Sequence, residues 1–233
     1  MAFLDKIFGN PLKRHARRVG TRDAQAEDRE ASARWLLDNG SEEAMTAVFN
    51  RFELQLEHSL KDKKEKELVF EMLVDTGPKA AAAARAFAKT SVHFQWPVAV
   101  IDKVEGPGAG TRALIELLGT QRVEDEFRPE KKRTLLLFLA ERRDPAIVEA
   151  ASRFLTDFDE GVRHAAIEAV AAQDCDGALL LPLLLNQKEE STRIRGRLAE
   201  IFAQRGWPVS DDEWLATHVP IGFRLLEGRL VPR

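Results

Sequence analysis

The stretch Asp159-Glu160-Gly161-Val162-Arg163-His164-Ala165-Ala166-Ile167-Glu168-Ala169-Val170 decides the fold. Slid forward by 32 residues, it falls on Ser191-Thr192-Arg193-Ile194-Arg195-Gly196-Arg197-Leu198-Ala199-Glu200-Ile201-Phe202. An apolar–arginine pair and the small residues behind it coincide. Slid 30 residues the other way, it brings Arg163 onto Arg133, ahead of Leu135 to Leu139. Self-similarity at a period of this length is the signature of stacked repeats. In each repeat the first helix is the apolar one, at Phe154-Leu155 and again at Leu179 to Leu185. The second is small and alanine-rich on one side, which lets helices approach closely. One such hairpin cannot bury its own apolar face, so stacking is required.

Working outward, the same grammar recurs. Trp35, Leu36 and Leu37 lead to Asn39-Gly40, where glycine tolerates the left-handed end of a helix, and Ser41 caps the next one with Glu42 and Glu43 at its positive end. Met45, Val48, Phe49, Phe52 and Leu56 then share one face. Pro78, Pro129 and Asp144-Pro145 are helix starts, and Gly106-Pro107-Gly108 is a corner. Lys61 to Lys66, interleaved with Asp62 and Glu65, reads as a solvated helix or loop. Strand signals are almost absent: tyrosine is missing and no alternating run is flanked by hairpin turns. Ser210-Asp211-Asp212-Glu213 is a capping box opening a short helix, and the chain after Pro220 reads as an extended tail. Its last residues, Leu230-Val231-Pro232-Arg233, match the start of a thrombin cleavage sequence, and nothing is rested on them.

The Asp159–Val170 stretch, preceded by Asp144-Pro145-Ala146-Ile147-Val148, resembles a HEAT repeat of the short bacterial type, also found in phycobilin lyase-like proteins. The resemblance is good over residues 129–206 and weaker over 26–122. It implies an all-α, right-handed α-solenoid of antiparallel helical hairpins, armadillo-like in form, over residues 23–207. A basic arm of residues 1–22 precedes it, and a capping helix and tail of residues 208–233 follow. In such repeats the turn aspartate and the following arginine bond within and between repeats, which by resemblance pairs Asp159 with Arg163.

The totals narrow the function. The chain has 233 residues, 44% hydrophobic and 31% charged, which is ordinary for a folded protein. The single cysteine, Cys175, cannot close an internal disulfide and suggests a reducing compartment. No apolar run approaches the roughly 18–20 residues of a membrane span, and Asp5, Lys6 and Gly9 interrupt any signal-like start. The expected location is cytoplasmic, with the inner membrane surface as a peripheral alternative. Residues 1–22 hold six of the 35 basic residues and one of the 38 acidic ones; the remainder, with 29 against 37, is acidic.

Chemistry is sparse. The five histidines are dispersed and Cys175 has no cysteine companion, so neither a metal nor another cofactor is expected. A Cys175–His164 nucleophile pair is outweighed by a buried small residue and a surface imidazole. No catalytic residues are assigned, and the expectation is a non-catalytic scaffold or adaptor that binds a protein partner on a curved helical surface. The residues assigned to that surface are Arg193, Arg197, Arg133 and Lys132. An acidic body disfavours nucleic acid, whose capture needs dense positive charge. Two alternatives stand. One is a lyase-like handler of small molecules, which needs a deep apolar pocket. The other is a membrane-surface adaptor using the arm, with Phe3, Leu4, Ile7 and Phe8 dipping into lipid and Lys13 and Arg14 on headgroups.

Overall fold

Prolines and glycines punctuate the helices where the sequence puts them. In a computed structural model that describes residues 10–209 and 213–233, Pro11, Pro78 and Pro129 each occupy a first helical position, and Gly40 takes the left-handed conformation (φ 71°) that ends a helix. The described residues are predominantly helical, with one two-stranded sheet. Among them no helix is long and apolar enough to cross a membrane. The chain divides into two compact units, Met1–Leu117 and Leu118–Arg233.

Unit 1 contains α1 (Pro11–Val19), α2 (Ala26–Asn39), α3 (Glu42–Val48), α4 (Asn50–Glu53), α5 (Ser59–Thr76), α6 (Pro78–Ala88) and α7 (Gln95–Glu105). Its core joins Leu36, Met45, Val48, Phe49, Phe52, Val69 and Leu73. Ala80, Ala81, Ala83 and Ala84 on α6 are almost wholly buried, and their small side chains let α6 lie close to α3 and α7. Phe49 stacks on Phe87 at 5.4 Å and Phe52 on Trp96 at 5.0 Å. The break expected after residue 22 is absent, because α1 packs on α2 and α3 and buries Val19. Residues 1–9, with Phe3, Leu4, Ile7 and Phe8, lie outside the described residues, as does Ser210 of the expected capping box.

After α8 (Ala109–Gly119), unit 2 contains α9 (Pro129–Ala140), α10 (Ala146–Ser152), α11 (Glu160–Ala171), α12 (Leu181–Leu184), α13 (Thr192–Arg205) and α14 (Glu213–Thr217). The longer helices α9, α11 and α13 pack in sequence, α9 on α11 and α11 on α13. The intervening α10 and α12 are short, so the apolar helix expected over Leu179 to Leu185 shrinks to one turn. Gly177 (φ 80°) approaches Trp207 so closely that a Cβ there would run into the indole.

The extended tail expected after Pro220 is instead a β-hairpin, β1 (Phe223–Leu226) with β2 (Arg229–Pro232), in register Leu226 with Arg229 and Phe223 with Pro232. Its two turn residues, Glu227 (φ 48°) and Gly228 (φ 70°), are both left-handed, the conformation whose twist matches paired strands. Leu230 is buried and β2 packs on α13. The residues set aside at the C-terminus are therefore part of the fold.

Candidate partner-binding surfaces

In unit 2 the cations follow a rule set by helix geometry. Helices α9, α11 and α13 begin at residues 129, 160 and 192, and their fourth residues are Lys132, Arg163 and Arg195. Lys132 Nζ donates to the carbonyls of Val123 (3.2 Å) and Asp125 (2.8 Å) in the loop before its own helix, and to Asp157 Oδ2 at 2.6 Å. Arg163 on α11 does the same one long helix further on. It donates to the carbonyls of Asp157 (3.0 Å) and Phe158 (2.9 Å), and its Nε and Nη2 reach both oxygens of Glu189 at 3.2 and 3.1 Å. Asp157 and Glu189 each stand two residues ahead of a capping residue, Asp159 or Ser191, whose backbone N–H each also accepts, at 3.0 and 2.9 Å. These carboxylates offset the cost of placing a cation near the positive end of a helix. Arg195 ends the series: its Nη2 donates to the His218 carbonyl at 2.9 Å, and its guanidinium lies 4.8 Å over Trp214.

This ladder corrects two expectations. Lys132, assigned to a partner, is 2% exposed and committed to Asp157, itself 1% exposed. The repeat register is 31 residues at this step, not 30, so Arg163 corresponds to Lys132, while Arg133 is exposed one position on. The pairing of Asp159 with Arg163 is replaced as well, since Asp159 Oδ1 caps its own helix by accepting from Val162 N at 2.9 Å. At the other helix ends Gln173, buried, donates to the carbonyls of Arg142 (3.0 Å) and Ala169 (3.1 Å), and Arg205 donates to that of Ala171 at 2.6 Å.

The two remaining arginines differ from each other. Arg197 grips Glu168 through Nε (2.5 Å) and Nη2 (2.8 Å) and Glu200 through Nη1 (2.9 Å). Burial alone would raise the Glu168 carboxyl, but the Arg197 hydrogen bonds and charge hold it below the usual range. His164, 3.7 Å from Glu168, is pushed down by burial and by Arg193. Arg193 is 62% exposed and meets Glu160 only at 3.8 Å. Cys175 donates its thiol to the Val170 carbonyl, and no group of three or more metal-ligating side chains occurs among the described residues.

Unit 1 presents a basic face and hides a charged interior. Helix α1 turns Leu12 and Val19 toward the core and stacks His15 on Trp35 at 4.3 Å, with Nδ1 3.1 Å from Ser32 Oγ. Burial, then Arg14 and Arg18, lowers the His15 pKa. The other side shows Lys13, Arg14 and Arg17, all exposed. Inside, Arg29 forks onto both oxygens of Glu65 at 2.8 Å and donates to the carbonyls of Thr21 and Ala24. Arg51, 1% exposed, donates to Glu65 (3.1 Å), to Asp62 Oδ1 (2.9 Å) and to the carbonyls of Leu54 and Asp62 (both 3.3 Å); Lys66 closes on Asp62 at 2.7 Å. Burial raises both carboxyls, yet the cations leave Asp62 and Glu65 below the ordinary range. The segment read as solvated is thus half interior: the spacing of Asp62, Glu65 and Lys66 puts them on one helical face, and Arg29 and Arg51 reach that face from other helices. Compared with known proteins, the chain matches no family model, no curated protein and no solved structure.

Proposed function

We propose that this chain is a non-catalytic protein–protein adaptor, and that its unit 2 is a HEAT-like, right-handed α-solenoid of helical hairpins. The observation that supports this is the ladder. Cations at the fourth position of the alternate helices α9 and α11, each joined to an acid ahead of the next long helix's cap, fit a stack of equivalent repeats. Such a stack offers an extended surface made from consecutive second helices. Of the four cations assigned to a partner, Lys132 and Arg197 are tied to carboxylates, which leaves Arg133 and Arg193 to meet it. Their charge suits an acidic segment of that partner.

The test is affinity capture from the native host with identification by mass spectrometry, comparing the wild type with an Arg133→Glu/Arg193→Glu variant. The variant should melt like wild type and lose the captured protein. Undiminished capture by a well-folded variant would remove these arginines from the binding surface. Truncation at residue 22 is unsuited to this experiment because it removes α1 from the core of unit 1.

A further inference from the structure

The basic residues of α1 form a surface of their own. Leu12, His15, Ala16 and Val19 recur at spacings of three and four on the side that meets the rest of unit 1. Lys13, Arg14 and Arg17 share the opposite face, with Arg18 partly buried beside them and Arg22 exposed just beyond. The helix contains no acidic residue, and among the described residues none of these five cations meets a carboxylate. Arg17 and Arg22 line a groove that also holds Glu53, whose carboxylate accepts from Ser91. Elsewhere in the chain Arg29, Arg51, Lys132, Arg163 and Arg197 hold carboxylates. Here five cations within ten residues hold none among the described residues.

We infer that the outward face of α1 is an electrostatic docking site for an anionic phospholipid surface. Three features select lipid over other polyanions. The cations lie along one helix face, which suits a plane of headgroups and needs no groove. The sequence just before the cap Asn10 carries Phe3, Leu4, Ile7 and Phe8, bulky apolar side chains that acyl chains accept and a nucleic-acid backbone does not. The rest of the chain carries net negative charge, which disfavours its contact with an anionic plane and favours approach through this helix. Because the apolar stripe of α1 is occupied by the core, this helix lies on the headgroups and does not insert. Its contribution is Coulombic and is screened over about 8 Å at physiological ionic strength. This docking is independent of the adaptor reading of unit 2.

Co-sedimentation of the full chain with phosphatidylcholine vesicles, with and without phosphatidylserine, tests it. The protein should sediment with the phosphatidylserine vesicles only, and the bound fraction should fall steeply with added salt. Lys13→Gln/Arg14→Gln/Arg17→Gln should lower partitioning by about 100-fold with an unchanged melting temperature. If the triple variant is destabilised, Arg14→Gln alone should lower partitioning about fivefold. Equal binding to both vesicle types, or undiminished binding by the folded triple variant, would overturn the inference. So would retention on duplex DNA without sedimentation on either vesicle.

Discussion

In unit 1, Arg29 from α2 and Arg51 from α4 converge on one carboxylate, Glu65, whereas in unit 2 Lys132 and Arg163 each reach a different acid ahead of the next helix. The first arrangement is a knot: three cations and two carboxylates close one place, and each group serves several others. The second is a series, in which each link joins one long helix to the segment ahead of the next long helix. Buried ion pairs are weak evidence for net stability, because desolvation offsets their attraction. What the two arrangements differ in is the consequence of losing a member. Losing Arg51 from the knot takes a partner from two carboxylates at once, while losing a cation from the series takes one from a single carboxylate.

Breaking the knot should therefore have the largest effect. Arg51→Ala leaves Asp62 with Lys66 alone and Glu65 with Arg29 alone, frees two carbonyls, and should cost about 3–5 kcal/mol in denaturant unfolding. If the loss is below about 1 kcal/mol, water replaces the guanidinium and the interior of unit 1 is not dry. In the series, Lys132→Ala leaves one carboxylate, Asp157, without its cation, together with the carbonyls of Val123 and Asp125, and should cost about 3 kcal/mol, at the low end of the same range. Replacing the whole pair, as Lys132→Met/Asp157→Leu, should recover most of that loss. A double variant as unstable as the single one would mean that Asp157 acts mainly as the acceptor for Asp159 N.

The acid response sharpens the contrast without removing a side chain. Asp62 and Glu65 are held below the ordinary carboxylate range in the folded state, so their contribution is complete above that range. It is lost as pH falls through it toward their depressed values. Unfolding measured between about pH 5 and pH 3 should show this slope, and Glu65→Gln should flatten it; an unchanged slope would place the titration elsewhere. The smallest effects belong to partly exposed arginines. Arg163→Ala should cost about 1–2 kcal/mol through lost hydrogen bonds to two carbonyls and Glu189, and Arg193→Glu should stay within about 0.5 kcal/mol. Equal losses at the two positions would erase the distinction between a ladder cation and a surface one.

Much of the helical grammar was legible because it depends on local chemistry. Ser41 caps α3, Asp144 accepts from Ala146 N, and prolines open α6 and α9, all as their residue types dictate. The correspondence between α9 and α11 was legible to within one residue, and that residue mattered. Matching arginine to arginine put Arg133 on Arg163, whereas the helix starts put Lys132 there. A one-residue shift on a helix turns a side chain by about 100°, which is the difference between Lys132 buried and Arg133 exposed. The β-hairpin was illegible for another reason. Strands of four residues offer two alternations at most, and Glu227-Gly228 is a rarer turn pair than the asparagine–glycine that advertises such a corner. The charge knot escaped because Asp62 and Glu65 find Arg29 and Arg51 through tertiary packing, which sequence spacing does not display.

The last link of the ladder carries a consequence for the direction of loosening. Lys132 and Arg163 end on carboxylates, but Arg195 ends on a backbone carbonyl and the face of Trp214. A neutral acceptor holds a guanidinium less firmly than a carboxylate does. Thermal excursions in unit 2 should therefore begin at α14 and the segment around His218, and travel inward only as each firmer link yields. Amide hydrogen exchange should find the interior of α11, held from both sides, the last part to exchange with water. In that case the ladder works as a fuse with a defined end, and the frayed end is the one that carries Trp214 and His218.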